Sequence, residues 1–206
     1  STAGDANYLA ASFLHPVLIV RGSQTLTFTS ISTTIVGNSF TASVSTTAVA
    51  SSGGLITYSV VGGSGSATVD GVTGLFKAYR AGTVTLYANS SGDTSYMPTY
   101  SVQTITIGKA TPILSLTAVS TTIRVGNSLQ LLGTSTAPLG AISNSSALVY
   151  QLVSGSGSAT LDPSTGILNA ISSGSLVVQA MQGADANYYA AVSPVFNLTI
   201  IAGVQS

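Results

Sequence analysis

The chain repeats itself. Gly4-Asp5-Ala6-Asn7-Tyr8 returns as Gly92-Asp93-Thr94-Ser95-Tyr96 and again as Ala184-Asp185-Ala186-Asn187-Tyr188, with the tyrosines spaced by 88 and then 92 residues. A fixed period of this size is the signature of an array of small, similar domains. The bodies between the tyrosines agree. Ser32-Thr33-Thr34-Ile35 and Val36-Gly37-Asn38-Ser39 return as Ser120-Thr121-Thr122-Ile123 and Val125-Gly126-Asn127-Ser128. Ser64-Gly65-Ser66-Ala67-Thr68-Val69-Asp70 returns as Ser156-Gly157-Ser158-Ala159-Thr160-Leu161-Asp162. The reading is two whole repeats, 22–109 and 110–206, preceded by the terminal strand of another repeat within 1–21.

Charge is sparse, with five Lys plus Arg against five Asp and no Glu, for a net charge of zero. Such a surface has no electrostatic footprint for nucleic acid or an anionic membrane. Mean hydropathy is positive, yet no stretch approaches the ~18 unbroken apolar residues of a membrane-spanning helix. The hydropathy comes from Val, Ile, Leu and Ala alternating with Ser and Thr. Residues 1–20 lack the charged start of a signal peptide. Without cysteine, each unit must hold together by packing.

The alternation reads as strands. Val84, Leu86 and Ala88 alternate with Thr85 and Tyr87, Ile105 and Ile107 flank Thr106, and Leu198 and Ile200 flank Thr199. Period-two runs of β-branched residues are half-buried strands, and no helical stripe competes. The pattern predicts strands near 24–30, 38–46, 54–61, 66–70, 74–79, 82–89 and 98–107. In the second repeat it predicts 112–119, 127–134, 147–153, 158–162, 166–171, 174–181 and 192–201. About seven short strands in roughly 100 residues, broken by Gly/Ser/Asp turns, describe an immunoglobulin-like β-sandwich. The fold class is therefore all-β, with tandem sandwiches joined by the short, stiff connection Gly108-Lys109-Ala110-Thr111-Pro112 into an elongated rod.

The residues Ala67-Thr68-Val69-Asp70, Thr73-Gly74-Leu75-Phe76-Lys77-Ala78 and Ala81-Gly82-Thr83-Val84-Thr85-Leu86-Tyr87-Ala88, with their second copies at 159–162, 165–170 and 173–180, resemble the bacterial immunoglobulin-like repeats of large cell-surface proteins and adhesins. That resemblance covers almost the whole chain. It implies a secreted, many-times-repeated stalk that projects an adhesive tip.

Candidate sites are few. His15 is the sole histidine and precedes Pro16 in the extra strand, which suits neither a triad nor a zinc site. All five aspartates sit at repeated positions. Asp70 and Asp162 fall in strand turns, and Asp5, Asp93 and Asp185 fall in the loop before the last strand. Recurrence in each repeat points to turn capping, with calcium at Asp5, Asp93 and Asp185 as the alternative. Calcium takes six to eight oxygens, and each of these loops brings one carboxylate. No cofactor is expected. Tyr96, Tyr188 and Tyr189 are candidates for an adhesive surface, against the reading that these rings pack the domain junction.

The sequence thus describes a non-catalytic spacer or stalk segment of an extracellular bacterial surface adhesin or filament, since no nonrepeated cluster of ionisable groups is present. Expected partners are neighbouring repeats or identical subunits, and glycans or host surfaces. The alternatives are a self-assembling fibre subunit joined by strand donation and a carbohydrate-binding module, which would show Tyr79 and Tyr87 exposed on one face. The strand expected at about Phe13–Val20 has no body in residues 21–206 and should pair outside them.

Overall fold

The computed structural model describes residues 4, 6–9, 12–49, 53–137 and 145–203. Among them there is no helix, and two β-sandwiches follow one another along the chain. The first contains β1 (Leu26–Phe28), β2 (Thr33–Ile35), β3 (Ser39–Thr41), β4 (Val44–Thr46), β5 (Ile56–Val61), β6 (Ser66–Val69), β7 (Leu75–Arg80), β8 (Gly82–Ser90) and β9 (Thr99–Gly108). The second contains β10 (Ile113–Ala118), β11 (Thr122–Arg124), β12 (Ser128–Thr136), β13 (Leu148–Gly155), β14 (Ser158–Leu161), β15 (Ile167–Ser172), β16 (Gly174–Gln182), β17 (Ala191–Val192) and β18 (Phe196–Ile201).

In the second sandwich one sheet runs β10-β12-β15-β14, and the facing sheet runs β11-β18-β16-β13 with β17 on β16. The first repeats this order as β2-β9-β8-β5 facing β3-β7-β6, with β1-β4 continuing the latter. There β3 and β4 are the counterpart of the single strand β12, interrupted at Ala42 and Ser43. Ala42 N–H donates to Gly74 C=O, and Thr29 N–H donates to Ser43 C=O, so the chain changes partner at that point. These are the two facing sheets of an immunoglobulin-like sandwich.

The alternation does what period two requires. Val84, Leu86 and Ala88 on β8, Ile105 and Ile107 on β9, and Phe76 and Ala78 on β7 are buried in the first core. Their counterparts Leu176, Val178, Ala180, Leu198, Ile200, Leu168 and Ala170 fill the second. Burying one such Leu, Ile or Val contributes roughly 1.5–3 kcal/mol, which is how a domain without disulfides holds. Tyr150 on β13 is buried, and its Oη accepts the Gly133 N–H at 2.9 Å.

Two expectations are revised. β2 and β11, paired in parallel with β9 and β18, were not legible, because three residues are too few to display a period. The expected strand 192–201 is broken. Ser193 Oγ accepts the Ala180 N–H at 3.0 Å, and Pro194 has no N–H to give. Residues 12–20 pair with no strand of either sandwich, and Phe13, Leu14, Val17, Leu18, Ile19 and Val20 are 70–90 % exposed. The second repeat runs 24 residues from Gly126 to Tyr150 against 21 from Gly37 to Tyr58, and the surface loop expected to hold the extra residues, near Ala137–Ser146, lies largely outside the described residues.

The turn between the paired strands β6 and β7 recurs between β14 and β15. Asp70 Oδ1 accepts the N–H of Val72 and Thr73, and Asp162 Oδ1 accepts the N–H of Ser164 and Thr165. The turn closes on Gly166, whose φ is +73° and where a Cβ would sit 2.9 Å from Leu131 O and 3.0 Å from the Tyr150 ring. Gly166→Ala is therefore expected to destabilise the second sandwich by about 1–3 kcal/mol, measured by chemical denaturation. A change near zero would show that this turn is not strained by a side chain.

Candidate functional site

The loops singled out by the repeat lie where the two sandwiches meet. In the second, the pairings Ile113↔Thr136 and Leu148↔Gln182 bring the start of β10 and the ends of β12 and β16 to one end. The loop 183–190 projects from that end towards the linker. Asp185 organises it. Oδ1 accepts the N–H of Asn187 and Tyr188 at 2.7 and 2.8 Å, and Oδ2 accepts the N–H and hydroxyl of Ser145 at 2.9 and 3.0 Å. Asp185 N–H in turn donates to Tyr188 C=O at 3.1 Å. A carboxylate offers about four lone-pair sites, and all are used. These donors, led by the Ser145 N–H, hold the Asp185 pKa down to about 2.

The loop so formed carries Tyr188 into the other sandwich. Its ring is 0 % exposed and belongs to the first core, together with Val36, Phe76, Ala78, Ile107 and Ala110. Backbone contacts pin it there. Ala110 N–H donates to Asn187 C=O at 3.0 Å, and Tyr189 N–H donates to Ala110 C=O at 2.9 Å. Across the junction, Ala81 N–H donates to Asn187 Oδ1 at 3.1 Å. From the linker, Lys109 Nζ donates to Asp185 C=O at 2.6 Å. Tyr188 Oη is buried with no hydrogen-bond partner among the described residues. Desolvation, helped by the nearby Asp185 charge, raises its pKa.

The first sandwich carries the same loop at its own leading end. Asp93 Oδ1 accepts the N–H of Ser95 and Tyr96, each at 2.7 Å, and Oδ2 accepts the Gly53 N–H at 2.8 Å. These donors lower its pKa, the Gly53 N–H most, with a smaller pull from Arg21. Gly22 N–H donates to Ser95 C=O, and Met97 N–H donates to Gly22 C=O, as Ala110 does in the second copy. Tyr96 is half-buried.

The candidates now separate. Asp93 and Asp185 cap their loops through N–H donors, and Asp5 lies outside the described residues. No group of three metal-ligating side chains occurs among the described residues. Tyr188 is corrected as an adhesive-surface residue, because it has no accessible surface. Tyr189, 56 % exposed, stays on the surface beside it. His15 packs edge-on against Phe13 at 4.4 Å. Tyr79 on β7 and Tyr87 on β8 lie in different sheets, so they form no common platform.

Sequence reasoning missed two buried amides that hold the loop floors. Gln24 Nε2 donates to Gly53 C=O, Ser90 Oγ and Met97 C=O at 2.7, 3.0 and 2.9 Å. Gln182 does this work in the second sandwich, accepting from Ser135 Oγ at 2.6 Å and donating to Ser146 C=O at 2.7 Å. Gln24 precedes β1 and Gln182 ends β16, so no repeat motif marks them.

No protein-family model matches the sequence, and no curated protein matches it. Solved structures similar to this chain include the D00-D0 domain of intimin, with 15 % identity and a TM-score of 0.34, covering 85 % of this chain and 98 % of that one. The Yersinia pseudotuberculosis adhesin InvE has 11 % identity and a TM-score of 0.35, covering 86 % and 58 %. Drosophila N-cadherin EC1-4 has 10 % identity and a TM-score of 0.39, covering 74 % and 43 %. The chain spans less than two thirds of the length of the last two. By its own strand order, the protein is a pair of immunoglobulin-like β-sandwiches.

Two predictions test this junction. Tyr188→Ala empties the end of the first core and is expected to destabilise it by about 3 kcal/mol or more. Tyr188→Phe keeps the ring and removes an unpaired hydroxyl, so it should be neutral or stabilising. Equilibrium denaturation followed by intrinsic tyrosine fluorescence measures both, and equal losses would contradict a packing role. The second concerns acid. Asp185 has a folded pKa of about 2 against an ordinary 3.8. A depressed carboxylate contributes stability above its unfolded pKa and loses it as pH falls through the folded one. The melting temperature should hold to about pH 4 and fall towards pH 2, and Asp185→Asn should flatten that fall. An unchanged acid profile in the variant would refute the assignment.

Proposed function

We propose that this chain is a non-catalytic spacer segment of an extracellular surface protein, an adhesin stalk or filament of the bacterial immunoglobulin-like repeat type, with 22–109 and 110–206 as its units. The observation that supports it is the Tyr188 contact. A ring from one sandwich completes the core of the one before it, and a linker of a few residues is hydrogen-bonded on both sides. Such a joint resists bending where a bare linker would not. In arrays of this kind each unit interacts with its neighbours, and stability sums over repeats and interfaces.

A spacer also needs a surface that neither titrates nor attracts counter-charges. Serine and threonine on the outward positions, with ten charged residues in 206, provide that. No helix among the described residues is long and apolar enough to cross a membrane. The exposed segment Phe13–Val20 favours a second reading, a fibre subunit joined by strand donation.

The chain has no cysteine, so a single label pair can be placed cleanly. Lys77→Cys and Asn169→Cys sit at equivalent exposed positions of β7 and β15. Pulsed electron–electron resonance should give one narrow distance distribution, and Tyr188→Ala should broaden it. A distribution already broad with Tyr188 present would mean two freely hinged domains and would sink the spacer reading.

A further inference from the structure

The two ends of the first sandwich differ in one respect: its trailing end is plugged by Tyr188, and its leading end presents Tyr96. We propose that Tyr96 is the plug of a second junction, and that it seats in a sandwich of the same repeat type whose last strand is Phe13–Val20 and whose other strands precede Gly4 in the polypeptide. This rests on the spacer reading and extends it to a partner.

The argument starts from what the filled junction does. Where Tyr188 covers the first sandwich, Val36 is 0 % exposed, and Gly37 and Ala81 are half-buried. At the corresponding end of the second sandwich, Val125 is half-buried, and Gly126 and Ser173 are exposed. The contrast between matched positions shows that a ring at this place is what shuts the core.

Tyr96 is prepared for the same task. Asp93 holds the loop as Asp185 does, with matching N–H donors from the residues two and three positions on. Asp93 N–H donates to Tyr96 C=O at 3.0 Å, beside 3.1 Å for the Asp185 pair. The ring lies against Gly22, as Tyr188 bridges to Ala110. A loop already in its bound shape loses little entropy on docking. Beside it, Met97 is 49 % exposed.

The segment before Gly22 supplies the second half. It stands 88 residues ahead of β9, which places Val17 and Ile19 on the buried positions Ile105 and Ile107. Arg21 then stands where Lys109 stands in the linker. Two or three extended residues reach only about 10 Å, so any body completed by Phe13–Val20 must abut the Tyr96 end. Strand and plug therefore engage one partner. That partner precedes Gly4 in the same polypeptide because the loop Gly4–Tyr8 repeats the loop after β8, so the strand that feeds it must come immediately before.

The test prefixes residues 22–91 of this chain to Gly4, so that residues 4–20 complete the added copy. The proposal expects a third cooperative folding unit. It also expects Tyr96 to lose its reactivity towards tetranitromethane and fall to the level of Tyr188, with Tyr189 as the reactive standard. A third unit that folds while Tyr96 stays as reactive as before overturns the plug. Should the added copy fail to fold, residues 101–108 of the original chain are replaced by residues 13–20. That variant should retain a folded first sandwich, and its failure overturns the strand assignment. If the unmodified chain self-associates in sedimentation, and Val17→Asp abolishes this, the occupant is a second copy and the preceding-repeat proposal falls. The label-pair distances at the Tyr188 junction are read independently, so failure of the spacer reading and failure of this proposal are distinguishable.

Discussion

One aromatic ring couples the two domains of this protein. Tyr188 belongs by sequence to the second sandwich and by packing to the first. A tyrosine of this kind buries roughly 150–250 Å², an area that at about 25 cal/mol per Å² corresponds to roughly 4–6 kcal/mol of transfer free energy. The unpaired hydroxyl costs about 1–3 kcal/mol, so the contact remains favourable. The first core is thus complete only when the next unit has folded its loop, and that loop depends on a single carboxylate. Ser145, Asn187 and Tyr188 converge on Asp185, and Lys109 holds the loop from the linker side.

This arrangement explains how a nearly uncharged, cysteine-free chain makes a continuous structure. Without disulfides or a dense net of ion pairs, neighbouring domains have two means of holding each other, packing and backbone hydrogen bonds. Both appear at the junction. The few charges are used locally. The aspartates of the described residues accept N–H groups within turns and loops, where a short anionic side chain closes what the backbone leaves open. Buried Gln24 and Gln182 serve the same end with neutral amides and so add no charge.

The repeat also separates conserved geometry from variable chemistry within one molecule. The Asp-x-x-Tyr loop has the same Oδ1 and backbone hydrogen bonds in both copies, although Ser95 stands where Asn187 stands and Oδ2 takes different donors, Gly53 in one and Ser145 in the other. The floor beneath it is built from different places in the chain, Gln24 before β1 in one and Gln182 at the end of β16 in the other. Backbone shape is thus preserved while side-chain supports are exchanged, as expected where the loop's shape presents the ring and the supports act only through that shape.

Much was legible in the sequence. Period-two runs such as Val84-Leu86-Ala88 and Leu198-Ile200 announce their strands, because alternation is a local property of an extended backbone with one buried face. The Asp-to-Gly turns at 70–74 and 162–166 are equally local. Strands of three residues, β2 and β11, leave no period to read, and the break at Ser193-Pro194 depends on a serine hydroxyl meeting β16. The sequence by itself determined that its motifs recur, that its strands belong to sandwiches, and that a tyrosine recurs in the loop before the closing strand. Only the tertiary structure decided what that tyrosine does. Tyr188 and Tyr189 are neighbours of one type, yet one is sealed in the preceding core and the other faces solvent. That difference is set by the direction in which the Asp185 loop projects across the linker, a relation between residues some 80–150 positions apart that no local pattern encodes.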